Sequence, residues 1–130
     1  MTIAYWCVLV GILLPYVCFG VARNRGRGPD GRRLRDNHDP RDFPNRIHGV
    51  AKRAWDAQLN AFEALPAFAA AVIISHLASV PQSQVDTLAL IWVGARIGHA
   101  LFYIIGRHSL RSASQFVSLA CVLGLFILSA

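Results

Sequence analysis

Uncharged, largely apolar stretches of membrane-spanning length divide this chain. Positions 2–22, 64–85, 87–95 and 112–130 carry no Asp, Glu, Lys or Arg. A helix crosses the hydrocarbon of a bilayer with about 20 mostly apolar residues. The pattern therefore predicts four such helices, over about 2–22, 46–79, 82–105 and 109–129. Four spans use roughly 80 residues and leave about 50 for loops and ends, so positions 1–130 read as a single domain. The fold class that follows is an all-α membrane protein, a bundle of four transmembrane helices. Pro15 and Pro66 fall inside the first and second helices and predict kinks that neighbouring helices support. The second helix is longer than a bilayer needs. Its first turns, Arg46 to Glu63, are amphipathic and should project from the membrane or line a site at its surface.

Charge then orients the bundle. Residues 23–53 hold ten Arg and Lys against four Asp, a surplus equal to the whole formal charge of +6. The connection near Pro81 carries only Asp86, whereas the third carries Arg107 and Arg111. The positive-inside rule places loops 23–45 and 106–109 in the cytoplasm and both termini on the other side. No positive charge precedes the first apolar run, which predicts a retained helix rather than a cleaved signal. Segment 23–45 is rich in Gly, Pro and Arg, with Asp-Pro and Phe-Pro turn signals, and reads as an irregular loop. A basic balance can signal nucleic acid, but arginine next to a membrane span is explained by topology and anionic lipid. The partners implied are membrane lipids, with no nucleic acid.

Cys7, Cys18 and Cys121 sit inside the apolar runs without metal-ligand spacing and read as small packing residues. His38, His48, His76 and His108 have no metal spacing either, and no metal is implied. Ser75, Ser79 and Ser118 are expected to pack, or to bond back within their own helices.

Ionisable groups at membrane depth are costly and mark functional candidates. Arg53, Asp56, Asn60 and Glu63 are spaced by three, four and three residues, which sets them on one stripe of helix two. Arg96, His99 and Tyr103 form a stripe on helix three, and Arg111 and Ser112 open helix four. Both stripes lie toward the basic ends of their helices, so they can meet in one pocket. Two readings stay open. The groups pair with one another as interhelical glue, through Arg53–Asp56 or Asp56–Asn60 for example, or they bind a small anionic, hydrogen-bonding molecule.

The stretch RAWDAQLNAFEALPAF resembles the signature of the MAPEG family, the membrane-associated proteins in eicosanoid and glutathione metabolism: an arginine, then Ala-Gln-x-Asn-x-x-Glu, then a proline. RIGHALFY on helix three is similar to a second family motif, Arg-x-x-His-x-x-x-Tyr, seen in the prostaglandin E synthase branch, and Arg111–Ser112 also has a counterpart. The resemblance implies a homotrimer with glutathione bound as co-substrate between subunits near the cytoplasmic face, and a lipophilic second substrate. It implies that Arg53, Asn60, Glu63, Arg96, His99 and Tyr103 bind or shape the site. Arg111 or Ser112 would then lie nearest the thiol and act in catalysis. Two positions depart from the well-studied glutathione-using members, with Asp56 and Leu59 where those have, or some have, arginine. An acid at 56 would repel a glutathione carboxylate or pair with Arg53. The family also contains a non-catalytic lipid-binding scaffold. The chain therefore reads either as a glutathione-dependent transferase or peroxidase-like enzyme, or as a non-catalytic module for a lipid or protein partner. A small transporter is disfavoured, because the polar groups cluster toward one face and none marks a midplane path.

Overall fold

The computed structural model describes residues 1–34 and 38–130; Arg35 and Asp36, counted among the charges of the first loop, lie outside that set. Four helices make up the bundle: α1 Ile3–Arg25, α2 Gly49–Leu77, α3 Gln82–Ile105 and α4 His108–Ser129. All four are long and apolar enough to cross a membrane, and the chain is an integral multi-pass membrane protein. α2 and α3 each pack against all three other helices, whereas α1 and α4 barely touch. The two polar stripes thus occur on the two central helices.

Hydrogen bonds between helix ends show how the bundle is threaded. The Ala4 N–H donates to Asp86 at 2.8 Å, tying the start of α1 to the start of α3. Ser75 and Ser129 hydroxyls meet at 2.9 Å, tying the ends of α2 and α4. These contacts, with both termini and the turn at 78–81, lie at one end of the bundle. The first loop and the turn at 106–107 lie at the other, where Arg53 Nε donates to the Ile104 carbonyl at 2.8 Å.

The helix boundaries differ by a few residues from the sequence expectation, each for a local reason. α1 continues three residues past Ala22, and Arg23 and Arg25 in its last turn lie where the helix dipole favours cations. α2 starts at Gly49 rather than at 46, because Ile47 is buried beneath the first loop and His48 is extended. α2 stops at Leu77 because Ser79 adopts a left-handed conformation (φ 57°), with the Val80 N–H returning to the Ser75 carbonyl. α3 ends in the same way at Gly106 (φ 78°), with the Arg107 N–H on the Phe102 carbonyl. Pro15 and Pro66 both sit inside uninterrupted helices, α1 and α2.

Small residues set the close packing. Ala51, Ala54, Ala57 and Ala61 are all buried along one face of α2, spacing that lets a neighbouring backbone approach in lipid, where side-chain packing drives association. Toward the terminal end of the bundle, Phe68 and Trp92 stack at 3.7 Å between ring centroids, nearly parallel, beside buried Cys7 and Cys121. Cys7, Cys18 and Cys121 are buried and free. Gly11 of α1 lies against this pair: a Cβ built there falls 3.0 Å from Leu65 and 3.1 Å from the Trp92 ring. Because Trp92 is held by Phe68, Gly11→Val is expected to lower stability by about 1–3 kcal/mol through overpacking. Gly11→Ala already brings its Cβ to 3.1 Å from the held Trp92 ring and should cost less only because it lacks the two further methyl groups; thermal unfolding in detergent reads both.

Asp86 has a structural task. Its Oδ1 accepts from the Ala4 N–H and from Gln82 Nε2 (2.7 Å), so α3 supplies the acceptor for an otherwise orphaned donor in the first turn of α1. The Thr2 hydroxyl accepts from the next free donor, Tyr5 N–H. Asp86→Ala is expected to cost about 1–2 kcal/mol, in the range of a lost helix cap, and Asp86→Asn less, since its carbonyl oxygen can still accept. Proteolysis of the N-terminal turn, faster in Asp86→Ala, checks this.

The first loop is irregular yet packed. An isolated bridge joins Arg27 to Arg33, and Phe43–Asn45 forms one turn of 3-10 helix. Leu34, Phe43 and Ile47 are buried against Ala22, Ala51 and Ala54, so the loop closes that end of the bundle.

Candidate functional site

The helix-two and helix-three stripes meet beside α4. Arg96, in the middle of α3, is 1% exposed. Its Nη1 donates to Gln115 Oε1 at 2.6 Å, and its Nη2 donates to Asn60 Oδ1 at 2.6 Å and the Asn60 carbonyl at 3.1 Å. The guanidinium fork therefore joins α2, α3 and α4 through one side chain, a geometry that a point charge such as lysine cannot reproduce. This is the interhelical glue reading, realised at one residue.

In front of this clamp lies a groove of about 350 Å³, open to the side of the bundle and lined by Asn60, His99, Tyr103, Arg111, Ser112, Gln115 and Phe116. Its size falls within the range of small-molecule sites. The His99 ring packs edge-on to Tyr103 with centroids 5.7 Å apart, and the Arg111 guanidinium lies 4.6 Å above the Tyr103 ring. Tyr103 thus holds the α4 cation in place by a cation–π contact. His99 is almost wholly buried, and its Nδ1 has no hydrogen-bond partner among the described residues. A buried polar atom left unpaired is costly, so this one marks His99 as a strained member of the groove wall.

Of the eight residues singled out from the sequence, Asn60, His99, Tyr103, Arg111 and Ser112 line this groove, and Arg96 stands behind it. Arg53 does not line it. Its bond to the Ile104 carbonyl caps the end of α3, and it lies alongside Gly106, where the chain turns toward Arg111. Glu63 does not line it either; its side chain is exposed on α2, one turn beyond Asn60, and its charge is close enough to be felt at Arg96.

The pairings considered for α2 come out differently. Asp56 bonds Lys52 at 2.9 Å rather than Arg53, because the i−4 ammonium reaches it along the helix while Arg53 is turned toward α3. Asn60 is taken by Arg96 and not by Asp56. Ser75, expected to pack or to bond back, is fully buried and donates across to the Leu125 carbonyl of α4. Ser118 does bond back, to the Gln115 carbonyl.

Gln115 is the residue that sequence reasoning missed. It holds one arm of Arg96 and also lines the groove. Its signal was present: four residues after Arg111 and three after Ser112, it falls on the same face of α4.

Among the described residues no group of His, Cys, Asp or Glu could hold a metal ion. The polar groups of the groove, a cation, a hydroxyl, a phenol, amides and an imidazole, suit an anionic or thiol-bearing molecule with hydrogen-bonding arms.

Comparison with known proteins adds the family. No curated protein matches the chain. The sequence profile of the MAPEG family matches residues 3–130, which takes in all four helices, the polar groove and the loop that closes the bundle. A whole-length match of this kind, with both motifs placed on α2 and α3 as described, shows that the chain belongs to the MAPEG family.

Proposed function

We propose that this protein is a membrane glutathione-dependent transferase or peroxidase-like enzyme that conjugates or reduces lipophilic electrophiles. Membership of a family concerned with glutathione metabolism sets the general class. The observation that carries the specific reading is the groove itself. It places Arg111 and Ser112 beside His99 and Tyr103, and it opens sideways between helices rather than into a sealed core. A free thiol ionises near pH 8.5, and a cation held beside it favours the thiolate, which is the nucleophile. Arg111, fixed over Tyr103, is the cation in that role, with the Ser112 hydroxyl as a hydrogen-bond donor to the sulfur. Asn60 and His99 orient the peptide part of the thiol substrate. Arg53 acts by holding the end of α3. A lipophilic electrophile reaches the sulfur from the membrane side, past Phe116.

The exposed Glu63 supports the homotrimer implied by the family resemblance. A carboxylate on an outward helix face near membrane depth is costly unless something polar covers it. A second copy of the chain packed there would bring Glu63 into a site shared between subunits, where it can take the ammonium group of glutathione. The basic loop and the turn at 106–107 share one end of the bundle, which supports a cytoplasmic mouth for that site.

The test is calorimetric titration of glutathione into detergent-purified protein, with Arg53→Ala and Arg111→Ala in parallel. Saturable binding that weakens in both variants is the expected result. No binding to well-folded protein overturns the enzyme reading.

One observation favours the second reading, a non-catalytic module for a lipid or a partner. The Lys52–Asp56 pair puts a carboxylate on the α2 stripe one turn before Asn60, where it opposes an incoming carboxylate. In that case the chain folds normally, binds no glutathione, and keeps its ligand when Arg111 is replaced.

A further inference from the structure

A second concavity, distinct from the polar groove and sharing no lining residue with it, lies where the end of α1 meets the first loop and the start of α2. Its volume is about 430 Å³. Phe19, Leu34, Phe43 and Trp55 supply most of its wall; among the described residues, Arg23 and Arg41 are its cationic lining residues and no acidic residue lines it. Trp55 is the centre of the aromatic wall, 5.8 Å from Phe43 and 6.1 Å from Phe19 between ring centroids.

Position in the bundle narrows what can enter. The cavity sits at the last turns of a membrane-spanning helix, beside the segment that holds the entire surplus positive charge of the chain. Aromatic side chains with arginines at the end of a span mark the headgroup level of a bilayer. At that level an occupant with an acyl chain and an anionic headgroup is always present at high local concentration. Each half of such a molecule has a counterpart here: the aromatic and aliphatic wall for the first methylenes, and the guanidinium groups for the phosphate. A soluble peptide would match the charge but not the wall, and a neutral hydrophobe the wall but not the charge. Asp39 and Asp42, with Asn45 donating to Asp42, line a neighbouring depression that shares Pro40 and Arg41 with this one, so Arg41 stands at the rim between the two.

We propose that this cavity is a binding site for a single anionic phospholipid, which seats the upper part of an acyl chain against Trp55 and its phosphate on Arg41 and Arg23. Because Leu34 and Phe43 also belong to the cluster that pins the loop onto α1 and α2, the lipid contacts the loop and the bundle at once. Lipid occupancy therefore fastens the loop to the bundle end. The proposal is independent of glutathione and stands or falls separately from the enzyme reading.

Trp55 supplies the probe. Protein in detergent micelles is titrated with phosphatidylglycerol brominated along its acyl chain, and separately with phosphatidylcholine carrying the same bromines. Bromine quenches indole fluorescence on contact, and subtracting the Trp55→Phe signal removes the contributions of Trp6 and Trp92. The expected result is a saturable Trp55 component with phosphatidylglycerol and only a shallow, non-saturating one with phosphatidylcholine. Arg41→Gln, a change on an exposed loop residue, should raise the half-saturating lipid fraction about five-fold, while Arg41→Lys largely retains the site. Circular dichroism confirms the helix content of each variant. Equal quenching by the two lipids, or no effect of Arg41→Gln, overturns the proposal in favour of ordinary contact with surrounding lipid.

Discussion

Replacing Arg96 with alanine is expected to lower the stability of the bundle by about 3 kcal/mol, the largest effect of any single polar substitution in the chain. The size follows from what the side chain does. Its three hydrogen bonds run to Asn60 on α2 and Gln115 on α4 from a charged donor that is 1% exposed. Hydrogen bonds within membrane proteins average only about 0.6 kcal/mol each, because the unfolded reference also finds partners, but bonds from a charged group run higher, near 1.5–3. Truncation also strands the Asn60 and Gln115 amide oxygens and leaves a void the size of the guanidinium between three helices. Arg96→Lys keeps the charge but cannot hold both amides, so it should fall between alanine and wild type. Unfolding titrations in mixed micelles measure the series. Wild-type stability in Arg96→Ala would mean that the clamp is not what joins the helices.

A different quantity responds most to Arg111. On the proposed function, Arg111→Ala should reduce turnover with glutathione by about a hundred-fold near neutral pH, the scale seen when one donor to a developing anion is removed. The pH profile distinguishes this from a packing defect. A cation beside a thiol favours the anion and lowers its pKa; removing the cation lets that pKa rise back toward about 8.5. The variant should therefore lose most activity at pH 7 and regain much of it as pH rises, while the wild-type rate is already level there. Tyr103→Leu, which removes the ring that holds the guanidinium at 4.6 Å, should give a smaller loss with the same recovery at high pH. A loss that is uniform across pH would place Arg111 in structure rather than in thiolate stabilisation.

Both predictions concern residues that the sequence singled out, and both depend on neighbours that it did not pair correctly. Arg96 and Asn60 were placed on separate stripes by spacing alone, and their union is a tertiary fact. Lys52 reaches Asp56 within one helix, yet Arg53, at an equally plausible spacing from Asp56, is drawn off by a carbonyl 51 residues away. Local spacing ranks such rivals equally; only the facing helix decides between them. Gln115 shows the same limit from the other side. It has no charge to draw notice in an uncharged run, and it matters because Arg96 comes to lie against it.

What the sequence by itself determined is the four-span architecture, together with the polar stripes on the second and third helices. These follow from one-dimensional physics: a bilayer demands a set number of apolar residues, every backbone donor in lipid must be satisfied within its own helix, and a helix repeats its faces every three or four residues. The family signature on α2 is likewise legible, since its residues are local. Only the tertiary structure decided which polar side chains are consumed in holding the helices together and which are left to line the groove. It also decided that the first loop, irregular by composition, is pinned by Leu34, Phe43 and Ile47, and that a cavity forms above Trp55. The reason is common to all of these. In lipid, helices gain little from hiding apolar surface, so their pairing depends on small-residue contacts and on where a few polar groups find partners. Those partners lie tens of residues apart in the chain.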